Sequence, residues 1–177
     1  MRSRVELVEV GDVPPGLAAA LLAGLPPPLT AGGAARLALE LEPCRDRTRA
    51  QTDGACLLRR LPSPSADGLL LALTGEDLFL PALTYVFGVS ELGAGRGLLS
   101  WARLRPQGEE PADGAWWGLV RRVTTEAVHE LGHALGLVHC PVAACAMHRT
   151  LWPEAIDLKE PAYCPTCRAA IDSPAGD

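Results

Sequence analysis

Residues 129–139, HELGHALGLVH, constrain this chain more than any other stretch. On a helix, His129 and His133 are four residues apart and project from one face. Two imidazoles on one face form a pair of zinc ligands, with Glu130 beside them to act on a metal-bound water. Gly136 follows three residues after the second histidine. Lacking a Cβ, it can take a left-handed conformation, end the helix and turn the chain sharply. That turn lets His139 come back as a third ligand and leaves one position open. A chance HExxH on an amphipathic helix is the competing explanation. The glycine and third histidine at fitting offsets tell against it, and three of the four histidines are used.

The residues that follow add a second cluster. Cys140 directly follows the third histidine, then come Cys145, Met147 and the pair Cys164-x-x-Cys167. Four thiolates at this spacing suit a closed, structural Cys₄ zinc site. Reduced buried thiols, or one disulfide, are the alternatives. Cys44 and Cys56 have no recognisable partner spacing and read as incidental. His148 reads as a surface or hydrogen-bonded histidine rather than a further ligand.

Together, HExxHxxGxxHC, Cys-x-Met and the closing CxxC resemble the archaemetzincins, a branch of the metzincin zinc proteases. The spacer from Met147 to Cys164 is one residue shorter than in that pattern. The resemblance is dense over residues 117–168 and faint upstream. It implies a metzincin-like zinc-protease fold: a twisted mixed sheet, an active-site helix and a small irregular C-terminal part. It also implies two zinc ions per chain, one catalytic and one structural. Met147 would form the Met-turn beneath the metal site; a methionine filling a core gap is the other reading. Substrates of such enzymes lie extended along a sheet edge. Residues 98–105 are the expected edge over the cleft.

The rest of the chain reads as α/β. Residues 5–10 alternate as a strand, and Asp12 is an expected cap for a helix over 14–24. Residues 36–41 alternate as a second strand with Leu37, Leu39 and Leu41 on one face. Residues 43–52 form a polar loop, and 52–61 a helix with Leu57, Leu58 and Leu61 inward. GLLLALT at 68–74 is a strand buried on both faces. A short strand is expected over 84–87, and a glycine-rich loop over 91–96. The active-site helix is expected over 115–135, capped by Asp113 after a polar loop over 107–114. Val120, Val123, Ala127, Leu131 and Leu135 form its buried stripe. Trp116 and Trp117 read as core anchors, and packing is the preferred role for Trp152. Residues 172–177 read as a frayed tail. The early crossovers favour parallel pairing.

At 177 residues the chain reads as one catalytic domain, with residues 1–136 carrying sheet and helix and 137–177 the third histidine, Met147 and the cysteines. The net charge of −5 argues against nucleic acid or an anionic membrane as partner. Neither a membrane span nor a secretory signal is visible, so a cytoplasmic monomer is expected. The expected function is a zinc-dependent peptidase with Glu130 as general base. The alternative is a zinc-stabilised module that binds peptide or protein without cleaving it.

Overall fold

The computed structural model describes residues 3–106 and 112–173. Within them the chain forms β1 Arg4–Val10, α1 Leu17–Ala23, β2 Thr30–Arg36, β3 Arg45–Asp46, β4 Gln51–Asp53, α2 Gly54–Arg60 and β5 Gly68–Thr74. It continues with β6 Leu78–Phe79, β7 Gly88–Glu91, β8 Arg96–Ser100, α3 Ala112–Ala134, α4 Pro153–Ile156 and α5 Pro165–Asp172. The main sheet has the order β2-β1-β5-β8-β7, parallel except for β7. A small sheet, β3-β4-β6, lies apart from it.

The centre of the main sheet is β5, and every residue in it is buried. Its side chains alternate between two cores, as strand geometry requires. Leu69, Leu71 and Leu73 join Val5, Leu7 and Leu99 against α1 and α3. Leu70 and Ala72 join Val10, Leu98 and the leucines of α2 on the other side. Each such leucine contributes about 1.5–3 kcal/mol when fully buried. The continuous apolar run therefore does mark a strand covered on both faces.

Several boundaries differ from expectation. The second strand is Thr30–Arg36, not 36–41. TAGGAAR carries no apolar side chain larger than alanine and lies at an exposed edge, so hydropathy does not reveal it. Its contact with β1 is close: a Cβ at Gly32 would come within 2.6 Å of the Val5 carbonyl and the Glu6 carboxylate. Leu37, Leu39 and Leu41 do share a face, but as irregular chain packed on the second core. Helix α1 starts at Leu17 without a side-chain cap, because Gly16 at φ +83° cannot continue a helix. Asp12 instead offers its carbonyl to Trp101 Nε1 at 3.0 Å. Residues 43–52 contain two short strands as well as loop. Asp53 caps α2 by accepting from the Cys56 amide. The strand expected at 84–87 reduces to a single bridge, Leu78 to Val86, and β7 begins just after it.

The sheet edge is also displaced from its expected position. Strand β8 is interior, between β5 and β7, and the edge is β7. The turn from Trp101 onward leaves the sheet because β8 ends at Ser100. Helix α3 begins at Ala112, so Asp113 falls inside its first turn rather than before it. The expected stripe is present: Val123, Ala127 and Leu131 are 0% exposed. Trp116 packs on the core, but Trp117 is 64% exposed and Trp152 56%, so neither of these is an anchor. The expected loop at 107–111 and the tail beyond Ser173 lie outside the described residues. Among the described residues, no helix is long and apolar enough to cross a membrane.

Cys44 and Cys56 are not incidental: they form a disulfide. The turn at Glu42–Cys44 lies against α2, which carries Cys56, and brings their Cα atoms to 5.5 Å. Their sequence separation of 12 has no diagnostic pattern of its own.

Candidate metal centre and cleft

Helix α3 ends in a Schellman motif. The Gly136 amide donates to the His133 carbonyl and the Leu137 amide to the Gly132 carbonyl, both at 2.9 Å. Gly136 has φ +100°, a conformation that a Cβ would strain. The glycine-rich turn before β8 adds a second donor to one of these carbonyls and meets one more. Gly93 donates to His133 O and Gly95 to Ala134 O, each at 2.9 Å. The turn reverses the chain so that His139 meets the helix histidines.

The side-chain nitrogens of His129, His133 and His139 lie within 4.8 Å of one another. His129 Nδ1 lies 2.8 Å from the Ala146 carbonyl, and His133 Nδ1 lies 2.7 Å from the Leu137 carbonyl. A carbonyl only accepts, so both Nδ1 atoms carry the proton and both Nε2 atoms carry lone pairs. These Nε2 atoms face each other at 3.1 Å. Two lone pairs at that distance repel unless a cation lies between them, so the donor set fits a metal ion. Burial pushes the His129 imidazole down to about 3, keeping it neutral and free to ligate. His139 is also lowered, first by burial and then by His133.

Glu130 is buried beside the trio. Ser90 of β7 donates from Oγ to Glu130 Oε2 at 2.6 Å. Gly88 closes the other side, where a Cβ would sit 2.5 Å from Glu130 Oε1. Burial pushes the Glu130 carboxyl up to about 8, opposed in part by the Ser90 hydrogen bond. A carboxyl with raised affinity for a proton suits general-base work near neutral pH.

Met147 is 0% exposed and packs under α3 at Gly132, where a Cβ would overlap Met147 Sδ. Gly132 lies between His129 and His133 in sequence, so the thioether packs against the turn of α3 that carries both imidazoles. His148 donates from Nδ1 to the Cys140 carbonyl at 3.0 Å, as expected of a hydrogen-bonded histidine.

The four cysteines Cys140, Cys145, Cys164 and Cys167 converge within 4.8 Å, with pairs at 3.8 Å. All four are free thiols. Cys164 precedes the first turn of α5, and the Cys167 backbone amide holds its thiol down at about 7. Burial raises Cys145 and Cys167. Four soft donors, one already acidified, fit a tetrahedral ion better than two disulfides would.

A cleft of about 310 Å³ runs past the trio between β7 and residues 149–151. Its walls include Gly88, Val89 and Ser90 on one side and Arg149 and Leu151 on the other, with Glu126 and Glu130 along its floor. Trp152 does not line it. Sequence reasoning missed Ser90, Glu126 and Gly132, and no periodicity or spacing marks them.

The comparisons with known proteins converge. The family model described as Peptidase family M54 matches residues 68–173. An archaemetzincin of Archaeoglobus fulgidus is 36% identical over 129 residues, 72% of this chain and 73% of the relative. The crystal structure of archaemetzincin from that organism, complexed with malonate, superposes with TM-score 0.79 and 30% identity over 93% of this chain and 98% of that one. The archaemetzincin structure from Methanopyrus kandleri gives 0.81 and 28%, covering 96% of this chain and 93% of that one.

Proposed function

This chain belongs to peptidase family M54 and is a zinc metallopeptidase, and from that premise we propose that Glu130 is its general base, at a site whose metal ligands are His129, His133 and His139. The observation that carries this reading is the facing Nε2 pair of His129 and His133, 3.1 Å apart, with Glu130 in the same cleft. When bound, zinc supplies Lewis acidity: it makes water more acidic and polarises a carbonyl. Glu130, oriented by Ser90, takes the proton from the attacking water as oxygen bonds to the peptide carbonyl carbon. It then delivers that proton to the leaving nitrogen as the C–N bond breaks. The family membership does not favour a binding module that leaves peptides uncut.

The substrate backbone pairs with β7. Ser100 donates to Phe87 O at 2.7 Å, and β7 runs antiparallel to β8 in the register Gly88 to Leu99. Hydrogen-bonded and non-bonded pairs alternate along such a ladder. The amides and carbonyls of Gly88 and Ser90 therefore face away from β8, toward the cleft, where an extended peptide can add as a strand.

Cys140, Cys145, Cys164 and Cys167 hold a second, structural zinc, which fastens residues 137–173 as the smaller part of one catalytic domain. Glu130→Ala should retain both zinc ions by elemental analysis while cleavage of a peptide library falls by about 10²–10⁴-fold. Cys164→Ser should lose one ion. Wild-type cleavage rates in Glu130→Ala would refute the assignment of the base.

A further inference from the structure

Lys159 is the only lysine in the sequence, one among 16 Lys and Arg residues. Its side chain is 0% exposed. The ammonium lies 2.8 Å from Glu126 Oε1, 3.2 Å from Ala146 O, 3.1 Å from His148 O and 3.2 Å from Thr150 Oγ1. An uncompensated charge in such a place costs several kcal/mol, so its partners are structural requirements. Of these partners, Ala146 O is the one that also accepts from His129 Nδ1. The ammonium and the imidazole thus share one oxygen. A compact ammonium meets acceptors spread around it in three dimensions, whereas a guanidinium donates only within its own plane.

We propose that Lys159 is a positioning residue for the three-histidine site: it fixes the Ala146 carbonyl that holds the His129 ring, and Glu126 neutralises it there. This rests on the metal-ligand reading given above. Three consequences of the geometry support it. Ala146 directly precedes Met147, so the same ammonium anchors the turn packed under Gly132. His148 O and Thr150 Oγ1 bracket Arg149, so it also sets the cleft wall opposite β7. Glu126 lies one helical turn before Glu130 and reaches the cleft floor. Without that carboxylate, the ammonium would add an unpaired positive charge beside a site that must accept a dication.

Two measurements test this, and neither depends on cleavage alone. In wild-type protein as isolated, labelled with ¹⁵N-lysine, the single ammonium should give one slowly exchanging signal. A fast-exchanging, solvent-like signal would overturn the proposal. The paired variant Glu126→Gln/Lys159→Met removes both charges together and leaves neither unpaired. It should weaken zinc binding in chelator competition by about 10–100-fold, the usual cost of losing a ligand's supporting partner. The His129 Nδ1–H resonance should broaden, and kcat should fall with KM nearly unchanged. A folded paired variant with wild-type zinc affinity, imidazole resonance and kcat would make the pair mere core filling. If wild type itself neither bound zinc nor cleaved peptide, the ligand reading would fail instead. The ammonium signal of the protein as isolated would still decide the Lys159 question.

Discussion

Gly132 shows how much one missing methyl group can matter. It sits in the turn of α3 between His129 and His133, and Met147 Sδ occupies the space a Cβ would need. Tyr163 approaches the same point, and its hydroxyl donates to Val128 O at 2.8 Å. Alanine is a better helix former than glycine by about 1 kcal/mol, which alone would make Gly132→Ala stabilising. Overpacking a filled site costs about 1–3 kcal/mol. Since two side chains crowd the position, the second effect should win. Gly132→Ala should lower the urea midpoint and weaken zinc retention. A raised midpoint with unchanged zinc affinity would mean that Met147 yields freely.

Among the elements, β7 has the most specific duty and the weakest sequence signature. Four half-buried residues, GVSE, cannot display an alternating or continuous apolar run. Strand β5 and helix α3 were legible because each buries a long stretch at its own period: every residue of β5, and every third or fourth of α3. Strand β2 was hidden for the opposite reason, since backbone contact rather than apolar side chains holds it. The imidazole and thiol clusters were legible because ligand chemistry fixes residue type and spacing together. Their supports were not, because Ala146 O and Leu137 O are backbone atoms that any residue supplies. The exposed face of β7 leads to a prediction at this scale. A peptide N-methylated at the amide that pairs with β7 should lose about 2–10-fold in kcat/KM. One main-chain hydrogen bond contributes about 0.5–1.5 kcal/mol. Equal kcat/KM for methylated and plain peptides at each position tried would dismiss strand addition.

For the whole molecule, the Cys44–Cys56 bridge and the cleft are separate concerns. The bridge ties α2 to the preceding turn, and neither cysteine lines the cleft. Closing a loop of this size stabilises a fold by about 2–3 kcal/mol. Cys44→Ser/Cys56→Ser should therefore lower Tm by roughly 4–10 °C and leave kcat/KM at 25 °C within two-fold. A variant as stable as wild type would show the bridge to be dispensable. The adjacency of His139 and Cys140 has a wider effect. One peptide bond separates a ring of the first cluster from a thiol of the second. An ion settling in either cage preorganises a donor of the other, so loading should be cooperative. Chelator titration should strip both ions in one overlapping transition, and two well-spaced steps would contradict this. With both cages loaded as proposed, half-armed copies of the wild type should be sparse: scarcity of the ion would leave some copies complete and the others inert.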